Sequence, residues 1–177
     1  MLVAVVGPSG AGKDTLMAGA RSRLGPDGRF RFVRRSITRP ASAGGEEHEP
    51  LDRDAFLRRR DGGGFALWWE AHGLLYGIPR DIEADLAAGR RVVANLSRGV
   101  LSEADARYPL LVLEITAPPE VLAARLAARG RENPDAIAER LAREAPLPPS
   151  LRVRWVVNDG SPEAGAAAVT AALLEAA

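Results

Sequence analysis

Cysteine is absent from these 177 residues, which excludes a disulfide framework, a thiol nucleophile and a zinc site built on thiolates. Histidine is nearly absent: His48 and His72 are the only imidazoles and survive as the only soft ligands. Neither sign of charge dominates, with 24 basic residues against 23 acidic, so bulk electrostatics point to no nucleic-acid and no membrane surface. A small anion held at one local site stays open. Long apolar runs are missing too. The opening Met1–Val6 stretch has no charged leader and is far too short for a signal-peptide core or a membrane span, which sets the expectation of a cytoplasmic protein.

Lysine is the rarest cation. The chain uses arginine almost everywhere, and its one lysine is Lys13; a random placement among the 24 basic positions would land there roughly once in 24. An ammonium is a compact point charge on a flexible stem, whereas a guanidinium is a rigid plane. Position 13 therefore calls for the ammonium.

A chain of 177 residues is about one domain's worth and buries roughly two thirds of its unfolded surface, so a single domain over 1–177 is expected. Short apolar runs read as strands at Leu2–Val6, Phe30–Val33, Val92–Leu96, Leu110–Ile115 and Val153–Val157. Helical patterns fall at Asp14–Leu24, Arg80–Ala88, Pro118–Arg129, Pro134–Ala145 and Pro162–Glu175, several opening with proline in the first turn. Buried runs alternating with helices predict an α/β three-layer sandwich, a parallel sheet of about five strands with helices on both faces. Residues 37–78 break the rhythm with glycine, arginine, acidic residues and a cluster of aromatics, and read as an inserted substrate-binding flap.

The stretch Gly7-Pro8-Ser9-Gly10-Ala11-Gly12-Lys13 follows a five-residue apolar strand and opens a helix, the setting a Walker A phosphate loop requires. Its glycines let successive amides turn inward as an anion nest at a helix N-terminus, and Lys13 would neutralise the β and γ phosphates of ATP. This predicts the P-loop NTPase fold and an ATP-dependent kinase. Where Ser or Thr normally faces Mg²⁺ the chain has Asp14, followed by Thr15. A carboxylate beside a triphosphate is repelled unless a cation lies between them. Asp14 is therefore read as a Mg²⁺ ligand, direct or through water, with an acidic helix-start residue as the competing reading.

From here the chain resembles the guanylate kinase family, through Ser36-Ile-Thr38-Arg39-Pro40, Phe65–Gly77, Arg125–Gly130 with Arg140-Leu141, and Asn158-Asp159. The resemblance implies that Ser36, Arg39 and Tyr76 hold the acceptor's phosphate. It implies that Arg125, Arg129 and Arg140 belong to or flank a lid at about 129–140 that closes over ATP and joins in catalysis, and that the Asn158 region lies against adenine. The positions that read guanine differ. Leu67 stands where that family has Glu, Ile78 where it has a small hydroxyl residue, Ser42 near its second phosphate arginine, and Ala94-Asn95-Leu96 at its acidic pair. Base-edge groups buried against Leu and Ile would go unpaired, at about 1–3 kcal/mol each, so GMP is not expected as the acceptor.

A closer resemblance is to the ribose 1,5-bisphosphate phosphokinase family, carried by the ending Gly12-Lys13-Asp14, Thr38–Gly44 with Glu47-His48, Gly73–Gly77, Ser97-Arg98, Arg129–Asn133 and Asn158–Ser161. It implies a phosphorylated sugar as small-molecule partner beside ATP and Mg²⁺, and 5-phosphoribosyl 1-pyrophosphate as product. A nucleoside monophosphate kinase and a non-catalytic binding module of the guanylate-kinase type are the alternatives, and a monomer or homodimer is expected. Several further residues carry two readings each. His48 is a contact to substrate or Mg²⁺, or part of an exposed charged loop; His72 is a packed residue rather than a catalyst. Trp68 and Trp69 build the flap's core, or one packs on the sugar. Arg34 and Arg35 touch phosphate or end a solvated strand, and Arg58–Arg60 form the wet face of a short helix.

Overall fold

The computed structural model describes residues 1–43, 46–128 and 146–176. The expected helix at Pro134–Ala145, and with it Arg129, Arg140 and the lid segment, lie outside the described residues. In chain order the elements are β1 (Leu2–Val6), α1 (Lys13–Leu24), β2 (Phe30–Phe32), β3 (Ser36–Ile37), β4 (Glu49–Pro50), α2 (Arg53–Asp61), β5 (Phe65–Ala71), β6 (Leu74–Pro79), α3 (Ile82–Ala87), β7 (Arg91–Asn95), α4 (Leu101–Arg107), β8 (Leu110–Thr116), α5 (Pro119–Ala128), β9 (Val153–Val157) and α6 (Pro162–Leu174). The expected α/β architecture is found as a five-stranded parallel sheet, order β2-β7-β1-β8-β9, with helices around it. A second sheet of four strands runs β4-β3-β6-β5. No described helix is long and apolar enough to cross a membrane.

The chain divides into two compact units, residues 1–4 with 27–110 and residues 5–26 with 111–177. In the second unit, β8 and β9 pair in parallel from Val112 opposite Val153 to Thr116 opposite Val157. Helix α1 packs along α6 at close range, because both helices carry small residues where they meet. A Cβ on Gly19 would lie 2.5 Å from that of Ala166, and one on Gly165 would lie 2.7 Å from Leu16. This contact fixes the helix that follows the glycine-rich bend.

In the first unit, β2 and β7 pair in parallel and α3 packs on β7. Helix α3 begins at Ile82 rather than Arg80, and the Arg80 amide donates to the Gly64 carbonyl at 3.0 Å. Helix α4, absent from the sequence reading, buries only Leu101 and Ala104, one short apolar stripe. The segment at 36–79 carries the second sheet: β5 and β6 form an antiparallel hairpin, β6 pairs antiparallel with β3, and β3 pairs in parallel with β4. Its small core is Phe56, Phe65 and Leu75, with Leu51 and Leu57 against it and the Phe56 and Phe65 rings 4.5 Å apart.

Candidate active site

All five residues of β1 are buried, and the chain leaves the strand at Gly7 with φ +144°. A Cβ there would stand 1.9 Å from the Ile115 carbonyl oxygen, so only glycine can make this bend against β8. Gly10 and Gly12 also have positive φ, and the Ala11 amide donates to the Pro8 carbonyl at 3.2 Å, closing the loop around half-buried Ser9. Gly12 then starts α1 with no side-chain cap, whereas Asp52 caps α2 through the Ala55 amide and Ser161 caps α6 through the Ala164 amide. The N-cap of this 12-residue helix thus makes no side-chain cap bond, which suits an anion at its positive end. The Lys13 ammonium donates to the carbonyls of Gly7 at 2.6 Å and Pro8 at 3.0 Å, and so lies folded over the bend. Asp14 and Thr15 follow on the exposed first turn.

Asn158, just past β9, is buried, and its main-chain amide donates to Thr116. Its side-chain amide donates to the Ala11 carbonyl at 2.8 Å. The side chain therefore braces the glycine-rich loop. Its Oδ1 and the Nη1 of Arg125 on α5 are buried atoms without a hydrogen-bond partner among the described residues.

The other cluster lies in the first unit. Thr38 is anchored to β6: its amide donates to the Leu75 carbonyl at 3.0 Å, and its hydroxyl accepts from the Leu75 amide at 2.8 Å. Arg39 follows, half-buried, with an Nε that is buried and without a partner among the described residues. His48 is 4% exposed, not part of a solvated loop, and its ring lies between the carbonyls of Arg39 and Glu46, each 3.0 Å away. Tyr76 stacks on Trp69 with ring centroids 5.4 Å apart and planes within 5° of parallel.

Of the two readings of Arg35, the solvated strand end fails. The residue is buried rather than solvated, its guanidinium pairing with the Glu46 carboxylate through two nitrogens and donating to the Asn95 carbonyl at 3.1 Å. The same guanidinium lies 5.6 Å from the Trp69 ring and 5.2 Å from that of Tyr76, so it clamps the aromatic pair. Arg34 is exposed and donates to the His48 carbonyl at 2.9 Å. Ser36 is fully buried, and its hydroxyl donates to Glu49 at 2.5 Å. That hydrogen bond, opposed by burial and helped by Arg59, holds the Glu49 carboxyl below its ordinary value.

Other expectations shift. Trp69 is buried, but Trp68 is 40% exposed beneath Arg60 and takes no part in the flap's core. Of Arg58–Arg60 only Arg58 is exposed; Arg59 bonds Glu49 and covers the Phe65 ring. His72 is exposed at the tip of the β5–β6 hairpin with φ +53°, followed by Gly73 at +73°, because a two-residue turn of this hand needs positive φ twice. Leu67 and Ile78 form a cross-strand pair, 1% and 0% exposed.

No protein-family model matches the chain. Over 172 residues it is 54% identical to the bifunctional ribose 1,5-bisphosphokinase-thymidine phosphorylase of Azorhizobium caulinodans, an alignment covering 96% of this chain but 25% of that protein. The chain thus spans about a quarter of that relative's length. It is 51% identical over 173 residues to the ribose 1,5-bisphosphate phosphokinase PhnN of Acidiphilium cryptum, covering 98% of this chain and 92% of that one. Among solved structures it is similar to a guanylate kinase from Anaplasma phagocytophilum, with a TM-score of 0.70 over 98% of this chain and 84% of that chain; at 18% identity this is a likeness of fold.

Proposed function

Because the chain belongs to the ribose 1,5-bisphosphate phosphokinase PhnN family, we propose that it transfers the γ-phosphoryl group of ATP to the 1-phosphate of ribose 1,5-bisphosphate. The products are ADP and 5-phosphoribosyl 1-pyrophosphate. An oxygen of the acceptor phosphate forms a bond to the γ-phosphorus as the bond from that phosphorus to the β–γ bridging oxygen breaks. The electron pair leaves with ADP. The acceptor is already an anion, so no general base is needed, and the work is orientation and screening of two polyanions.

The observation that carries this reading is the bend Gly7–Gly12, whose glycines all have positive φ or close packing and whose helix start has no side-chain cap, with the Lys13 ammonium folded over it. We assign residues 7–13 and Thr15 to the ATP phosphates. Asp14 and Thr15 supply one carboxylate and one hydroxyl on the first turn, a donor set that fits Mg²⁺, which takes one or two protein oxygens and completes its shell with phosphate oxygens and water. Bound there, Mg²⁺ would offset charge on the phosphates. Arg125 is assigned to the nucleotide side, its buried Nη1 suiting an anion. Asn158 acts there by holding the Ala11 carbonyl away from the phosphates.

Residues 37–78 are the acceptor-binding insertion in this reading. Arg39, whose buried Nε has no hydrogen-bond partner among the described residues, grips the acceptor phosphate, Tyr76 supplies a hydroxyl from a ring clamped by Arg35, and Ser36 supports both by pinning β3 to Glu49. The buried Leu67–Ile78 pair offers nothing to a base edge, which favours a sugar bisphosphate over a nucleotide. Arg129 and Arg140 are assigned to a lid at about 129–140.

A coupled assay of ADP release with ribose 1,5-bisphosphate, GMP and AMP tests the reading. Turnover is expected with the sugar bisphosphate alone. Equal or faster turnover with GMP overturns the acceptor assignment, and silence with all three favours a binding module. In the same assay Lys13→Ala is expected to lower kcat by about 10²–10³-fold, the usual loss for one electrostatic contact made in the transition state.

A further inference from the structure

His48 has an acceptor facing each ring nitrogen. Nε2 lies 3.0 Å from the main-chain oxygen of Arg39, and Nδ1 lies 3.0 Å from that of Glu46. A carbonyl oxygen only accepts, so the first contact makes Nε2 a donor in every protonation state in which the ring holds this place. Nδ1 has a choice. With a proton it serves the Glu46 carbonyl; without one it can accept from Arg39 Nη2, which stands 3.4 Å away. The Nε2–H bond to the Arg39 carbonyl is common to both arrangements. The remaining charged groups around the ring are accounted for: Arg34 donates to the His48 carbonyl, the Glu46 carboxylate is engaged by Arg35, and Glu47 is exposed and lies 3.9 Å from Arg34.

Arg39 itself sits in a bend outside regular structure, between anchored Thr38 and Pro40. A long guanidinium side chain on such a bend has many rotamers to lose when it grips an anion. The His48 bond fixes the main chain at Arg39, and its ring nitrogen stands against the guanidinium. Both contacts reduce that loss. We propose that His48 is a positioning residue for acceptor binding: it holds Arg39 in the presentation that receives the phosphate, and it acts through the Arg39 carbonyl rather than by touching the substrate. This rests on the assignment of Arg39 to the acceptor phosphate.

The test compares the whole protein with His48→Ala, His48→Gln and His48→Asn variants. It measures KM for each substrate, kcat, and equilibrium binding of ribose 1,5-bisphosphate without ATP. The amide nitrogen of Gln stands at the distance of Nε2 from Cα, and that of Asn at the distance of Nδ1. His48→Ala and His48→Asn are expected to raise the KM and Kd for the sugar bisphosphate by about ten- to a hundredfold, the cost of misplacing a binding group, while KM for ATP holds and kcat changes little. His48→Gln is expected to recover most of the lost affinity. Should His48→Ala not fold, the Gln and Asn pair decides alone. A wild-type KM in folded His48→Ala or His48→Asn overturns the positioning role, and so does a Gln variant as impaired as the Asn variant. Wild-type protein that binds the sugar bisphosphate without turnover counts against the proposed reaction only, and the binding constants of the variants still decide the role of His48. Protein that neither binds nor turns it over sinks both.

Discussion

Asn158 and Ala11 are 147 residues apart in the chain and joined by a 2.8 Å hydrogen bond, the Asn158 side-chain amide donating to the Ala11 carbonyl. A carbonyl so engaged is turned away from any anion in the bend, and the peptide plane carrying it presents its amide to the other side. Gly12 lies directly beneath this bond. A Cβ on Gly12 would stand 2.6 Å from Asn158 Nδ2, and the residue has φ +83°.

Gly12→Ala therefore meets two penalties at once. A left-handed backbone costs a non-glycine residue about 1–2 kcal/mol, and Asn158 must leave the Ala11 carbonyl to make room. Relief comes if the loop abandons the bend. ATP affinity measured by calorimetry is expected to fall by about tenfold or more, since each factor of ten is only about 1.4 kcal/mol. The melting temperature is expected to drop by a few degrees, about 2–4 °C per kcal/mol in a chain of this size. Unchanged ATP affinity would mean that the bend is not the phosphate site.

Asp14 separates a metal ligand from a helix-start residue by a change of sign. Without Mg²⁺ its carboxylate repels the triphosphate by as much as a few kcal/mol at about 4 Å and an effective dielectric near 20, so Asp14→Ser is expected to bind metal-free ATP more tightly than the wild type. With Mg²⁺ present the order should reverse, and half-maximal activity should need roughly tenfold more of the metal. If Asp14 only favours the helix start, the substitution lowers the melting temperature slightly and the magnesium titration is unmoved.

The glycine-rich bend was legible because its own elements are local, although the Asn158 brace on it is not. A strand, a bend and a helix follow one another within residues 2–24, and each declares itself by apolar spacing, glycine or lysine. The flap was not, for two reasons. Its strands β3 and β4 are two residues long, too short for any period to register. The fates of Arg35, His48 and Arg59 depend on partners supplied by strand pairing: Glu46 and Asn95 for the first, two main-chain carbonyls for the second, Glu49 for the third. A charged residue reads as solvated until its partner is known. His72 misled in the opposite direction, since an imidazole among aromatics suggests packing while the hairpin's hand puts it at the exposed tip.

Glu49 ties the short strands of the flap together and should be visible in the acid limb of stability. Its carboxylate accepts from the Ser36 hydroxyl at 2.5 Å and from Arg59 at 2.7 Å, and the Ser36 bond is the main reason its pKa lies below the ordinary 4.5. A carboxyl with a lowered folded pKa contributes stability that is fully present above the unfolded value and lost as pH falls through the folded one. The contribution should thus be constant above about pH 5 and decline below pH 4.5. Glu49→Gln removes the charge at every pH. Because Glu49 is partly exposed, screening limits the pair to about 0.2–1 kcal/mol, a difference of a few degrees at most. Thermal melts of both proteins from pH 7 to pH 3 are expected to show the wild type ahead at neutral pH and the two curves converging below pH 4.5. A gap that persists undiminished to pH 3 would show that the carboxylate's charge contributes nothing, and that the strands are held by shape and main-chain pairing alone.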